Sequence, residues 1–152
     1  MIKPCTLPGG GARVGLDKFG VADEVASMSF TLVQIAVGGA AGAVSRYLTG
    51  QAAMRVMGPG FPWGTLTVNV VGSFVMGVIV VTLAELSANR ISPFLVTGFL
   101  GAFTTFSSFS LDTAYMWERG ETVQAGAYVA ASVVLSLAAL FAGLWAARGV
   151  IA

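Results

Sequence analysis

The chain has 152 residues, 56% of them hydrophobic and only 10% charged, with a net charge of +1, no histidine and a single cysteine. Soluble domains are about one-quarter charged, so a mean hydropathy of +0.84 in so short a chain points to lipid as solvent rather than to a large soluble core. The missing histidine removes the commonest general base and transition-metal ligand. The lone Cys5 excludes an intrachain disulfide or a cysteine metal cluster, and the near-zero charge gives no basis for a nucleic-acid role.

In chain order, residues 1–27 come first. KPCTLPGGGARVG is rich in glycine and proline, has no periodicity and lacks the apolar centre of a signal peptide. It reads as a disordered N-terminal extension or as a start placed upstream of the true one, since Met28 opens MSFTLVQIAVGG directly before the first apolar run. Residues 28–152 form one membrane domain, with no separate soluble domain and no long internal repeat. Four apolar runs, Phe30 to about Leu48, Trp63–Ala84, Pro93–Trp117 and Thr122–Ala147, each reach or approach the roughly 20 residues that span a bilayer core. Trp63, Trp117 and Trp145 fall near their ends, where interfacial aromatics belong. Pro62 and Pro93 stand at span starts, where a missing N–H costs little. Loops are expected over about Thr49–Pro62, Glu85–Ser92 and Glu118–Glu121.

Polar residues inside such spans need a partner or a task. In the first span Gly38 and Gly42 make a GxxxG pair suited to close helix approach. Arg46, near its end, either snorkels to the headgroups or sets positive potential at the mouth of an anion path. In the second, Thr65, Asn69, Ser73 and Gly77 share one helix face; Asn69 serves either a helix–helix hydrogen bond or a pathway. In the fourth, Gln124, Tyr128, Ser132 and Ser136 form a matching ladder about 18 Å long. Serine can bond back to its own helix, so packing and pathway both remain open.

The third span carries GFLGAFTTFSSFS, Gly98–Ser110. Gly98 and Gly101 weaken a helix, and Thr104, Thr105, Ser107 and Ser108 can bond freed backbone groups. Irregular backbone at membrane depth survives only when buried in protein or lining a cavity, and unpaired carbonyls suit a hard cation such as Na⁺. Phe99, Phe103, Phe106 and Phe109 form a ring-bearing face whose positive edges can meet an anion; an ordinary packed aromatic stripe explains the same spacing.

GGAAGAVSRY (Gly38–Tyr47), GTLTVNVVGSF (Gly64–Phe74) and GFLGAFTTFSSFS, in this order and spacing, resemble the Fluc (CrcB) fluoride channels over all four spans. The resemblance implies an all-α membrane protein with a broken third helix, assembled as an antiparallel, dual-topology homodimer with two fluoride pores in the bacterial inner membrane. It implies that Asn69 hydrogen-bonds fluoride, that the ring edges of Phe106 and Phe109 line the pores, and that Tyr128, Ser132 and Ser136 form a polar track. It also implies that the Gly101 and Thr104 carbonyls of both subunits hold a central Na⁺, and that Arg46 belongs to the vestibule. Departures from the family pattern are Ala102 and Phe103, where members often carry glycine and leucine, and Asp112, where glutamate is expected.

The charge map agrees with dual topology without appeal to the family. Counted from Met28, Arg90 and Arg148 share the N-terminal side, and Arg55 and Arg119, with Arg46 nearby, the other. That balance gives the positive-inside rule almost nothing to act on. A proton-coupled dual-topology efflux transporter is the alternative; it needs a membrane carboxylate, and Asp112 is the candidate. An enzymatic role has little support: a serine hydrolase would have no histidine, and no lysine follows Lys18.

Overall fold

The computed structural model describes residues 18–151, and side-chain environments for 23–150. The expected N-terminal segment lies outside the described residues up to residue 17, and Lys18 to Ser27 belong to the first helix. Every element described is helical: α1 (Lys18–Met57), α2 (Trp63–Glu85), a 3₁₀ turn (Asn89–Ile91), a π-type helix (Pro93–Leu100) continued by the single turn α3 (Gly101–Phe103), α4 (Phe106–Glu118) and α5 (Thr122–Ile151). Four helical stretches, Asp23–Met57, Trp63–Glu85, Asn89–Glu118 and Thr122–Val150, are long and apolar enough to cross a membrane.

The helices outrun the expected spans. α1 has 40 residues, about 60 Å at 1.5 Å per residue and about twice the hydrocarbon thickness. The segment Thr49 to Met57, expected as loop, is helical. QAAMRVM contains good helix formers, and no breaker intervenes before Gly58, Pro59 and Gly60. Gly58 and Gly60 take φ of +80° and +112°, the left-handed region that glycine occupies without a Cβ penalty.

Small residues set the packing. α2 lies along α5, where Gly77 faces the backbone of Leu140 and Leu144, and Gly143 faces Phe74 and Val78. α1 lies along the π-type helix, and there Gly38 and Gly42 abut the backbone of Phe94, Gly98 and Phe99. A Cβ at Gly42 would overlap the Phe99 carbonyl oxygen, so the GxxxG spacing serves direct backbone approach. Gly98 belongs to this contact, its Cβ position lying 2.9 Å from the Ile35 carbonyl. Its role is thus close packing, and the chain breaks one and a half turns later.

Candidate functional site

The break falls at Thr104 and Thr105, midway along the Asn89–Glu118 stretch. Thr104 has φ −80° and ψ 159°, and Thr105 φ −155° and ψ 120°. Two extended residues inside a membrane helix leave several amides and carbonyls without helical partners, and these must be met locally. Thr105 caps α4, its Oγ1 accepting from the Ser108 backbone N–H at 3.1 Å. Ser108 Oγ and Ser107 Oγ lie 3.2 Å from the same oxygen. The Asn69 carboxamide of α2 meets the Thr105 backbone itself. Its Oδ1 accepts from Thr105 N at 2.8 Å, and its Nδ2 donates to Thr105 O at 3.0 Å. The amide orientation follows, because Thr105 N can only donate.

Two cavities meet at Thr105. The first, about 430 Å³, is lined by Asn69, Thr104, Phe106, Phe109, Ser132 and Ser136 together with apolar residues of α2 and α5. None of its lining side chains is charged. Ser132 is 5% exposed, and its Oγ has no hydrogen-bond partner among the described residues. Phe106 is 79% exposed on the single chain, so the groove is open along that side. The Phe106 and Phe109 rings lie 5.4 Å apart.

The second cavity, about 340 Å³, is lined by Arg46, Gln51, Trp63, Thr65, Ser108 and Asp112, among others. Asp112 Oδ2 accepts from Thr65 Oγ1 at 2.7 Å and from the Tyr128 hydroxyl at 3.5 Å. The carboxylate is thus held between helices by neutral donors. Among the described residues the one ion pair is Arg119 with Glu121, so Arg46 and Asp112 share this cavity unpaired with each other.

Of the residues singled out in the sequence, Asn69, Thr104, Phe106, Phe109, Ser132 and Ser136 converge on the groove, and Arg46 on the second cavity. Tyr128 lines neither. It is fully buried, with its ring 5.4 Å from Phe109 and edge-on to Phe61 at 5.5 Å, and its hydroxyl turned to Asp112. Gly101 lies outside both linings; a Cβ there would meet only the Val96 carbonyl, at 3.6 Å, so its surroundings within the chain are open. Phe103 is buried and stacks on Phe99 at 5.9 Å. Thr105 and Thr65 were legible only as members of hydroxyl patterns; their partners, Asn69 and Asp112, lie 36 and 47 residues away.

A polytopic helical protein, with its third membrane-spanning helix interrupted midway along its length beside a groove of neutral donors and rings, is the class these features define. The family model described as "CrcB-like protein, Camphor Resistance (CrcB)" matches residues 33–144, and the chain belongs to this family. A protein of Cereibacter sphaeroides named "Fluoride-specific ion channel FluC" is 59% identical over 122 residues, 80% of this chain and 98% of that protein. Proteins of the same name from Rhizobium etli, 57% identical over 77% of this chain and 95% of theirs, and Paracoccus denitrificans, 51% identical over 82% of this chain and all of theirs, are similar. With four membrane-spanning helices and bacterial relatives of this kind, it is a multi-pass protein of the bacterial plasma membrane.

Proposed function

We propose that the protein is a fluoride-selective channel exporting cytoplasmic fluoride passively. The observation that carries this reading is the uncharged groove at the helix break, which offers Asn69, Ser132, Ser136 and two phenylalanine rings. Fluoride is small and strongly hydrated, so a dry passage must replace lost water with donors. Amide and hydroxyl N–H and O–H groups do so, and ring edges add positive potential. Fixed cations inside would hold the ion too tightly for release. Arg46, in the second cavity, raises the local anion concentration at the approach. Asn69 has one N–H left after binding Thr105 O, and Ser132 has a buried hydroxyl without a partner; both are free to serve the ion. Tyr128 acts from behind this track by fixing Phe109 and Asp112.

The channel is an antiparallel homodimer with two pores. The exposed Phe106 and the open surroundings of Gly101 support a second copy closing both the groove and the break. Na⁺ fits at the break. In a continuous helix the Gly101 and Thr104 carbonyls would accept from Thr105 N and Ser108 N, but those amides go to Asn69 Oδ1 and Thr105 Oγ1 instead. Two carbonyls per subunit are left for a hard, oxygen-seeking cation, which would supply positive charge between the pores. The measurement is fluoride efflux from proteoliposomes, expected to require a K⁺ ionophore as counter-path and no proton gradient. A second reading draws on Asp112, the intramembrane carboxylate a proton-coupled transporter needs. Efflux driven by a pH gradient and insensitive to the ionophore would favour it.

A further inference from the structure

Three partners bear on one Asn69 side chain: the Thr105 N–H, the Thr105 carbonyl and the groove. A side chain placed only to face an ion in the groove has no need of the first two. Thr105 N–H is the amide that a continuous third helix would give to the Gly101 carbonyl, and it is 2.8 Å from Asn69 Oδ1 instead. Thr105 O, the N-cap carbonyl of α4, takes Asn69 Nδ2 at 3.0 Å. The carboxamide therefore pairs with both backbone groups of an extended residue, as a neighbouring strand would. It is the only side chain of α2 hydrogen-bonded to the break. The Thr104 carbonyl is freed separately, by the Thr105 hydroxyl capping Ser108 N.

We infer that Asn69 is a positioning residue for the cation site: its Oδ1 draws the Thr105 N–H away from the Gly101 carbonyl and so keeps that carbonyl available to Na⁺. This rests on the Na⁺ reading above and extends it from α3 to a residue of α2 that touches no cation. Without Asn69, the N–H returns to the nearest acceptor along the chain, Gly101 O. The break tightens by one helical bond, and a cation ligand is consumed. In its protonated form the near-isosteric Asn69→Asp keeps an oxygen where Oδ1 stands and an O–H to donate to Thr105 O, and loses only the N–H facing the groove; as a carboxylate it would set an acceptor 3.0 Å from that carbonyl.

The test uses the purified full chain in detergent, free of fluoride, melted in Na⁺ and in N-methylglucamine. A ligand bound only by the folded state raises the melting temperature. We expect a Na⁺-dependent rise for the unmutated protein, its loss in Asn69→Ala, and its retention in Asn69→Asp at a pH low enough to protonate the introduced carboxyl, although fluoride flux fails in both variants. Ser132→Ala, altered in the groove alone, should keep the rise. A rise of undiminished size in Asn69→Ala overturns the inference and leaves the Na⁺ reading intact; no rise in the unmutated protein overturns both. Should Asn69→Ala not yield folded protein, ¹⁵N-asparagine labelling of the unmutated chain decides. The Asn69 carboxamide signals, assigned by their absence in Asn69→Asp, should shift on adding Na⁺ without fluoride. Signals that stay in place overturn the coupling.

Discussion

Ser132→Ala separates a pore donor from a packing residue, because the two roles predict opposite signs for stability. The hydroxyl is 5% exposed and lacks a hydrogen-bond partner. Leaving a buried polar group unsatisfied costs about 1–3 kcal/mol. Alanine removes that penalty with the loss of one oxygen atom, so the folded protein should gain about 1 kcal/mol, read as a higher unfolding midpoint in mixed micelles. Flux should move the other way. A hydrogen bond to a charged group is worth about 1.5–3 kcal/mol, and each 1.4 kcal/mol on a barrier is about tenfold in rate. Fluoride efflux from liposomes should therefore fall by about ten- to a hundredfold. A variant that is less stable and less active together would make Ser132 a packing residue. A more stable variant with undiminished flux would remove the groove from the path.

The ring-edge role is checked by Phe106→Ile and Phe109→Ile, both expected to form dimers with impaired fluoride flux, Phe109→Ile less so; full activity in both returns the stripe to packing. Gly42→Ala places a methyl group onto the Phe99 carbonyl and should cost about 1–3 kcal/mol in thermal unfolding, whereas Gly126→Ala, inside α5 where a Cβ meets nothing, should cost nothing and stabilise by up to about 1 kcal/mol. Single cysteines in the Leu86–Ser92 loop of a Cys5-free protein should label from both sides of the membrane in comparable amounts, and one-sided labelling would reject the antiparallel dimer.

The spans and the break were legible because both leave compositional marks: long runs without charge, and five hydroxyls within Gly98–Ser110. The residues alone did not fix the break's position, which the resemblance put at Gly101 and Thr104. Glycines pointed to Gly98 and Gly101, yet Gly98 is where α1 presses on the third helix, and the chain opens at two threonines whose side chains cap it. Helix propensity carries no information on which glycine a neighbouring backbone approaches. The length of α1 was underestimated because Arg46 reads as a span end, whereas lipid and headgroups end a hydrophobic run without ending a helix. For Asn69 the sequence left packing and pathway open, and the geometry explains why: the side chain holds the Thr105 backbone and also borders the groove. Asp112 looked like a truncated glutamate, and its compensation, the Thr65 hydroxyl 2.7 Å away, is a tertiary fact.

Selectivity tests the channel reading most directly. Purified protein is reconstituted into liposomes loaded with potassium fluoride or potassium chloride, and efflux is started with a K⁺ ionophore and followed with ion-specific electrodes. A groove of neutral donors and ring edges, read as a fluoride path, predicts rapid release of fluoride with chloride retained as in protein-free vesicles. Equal release of both ions, or release of neither, would contradict it.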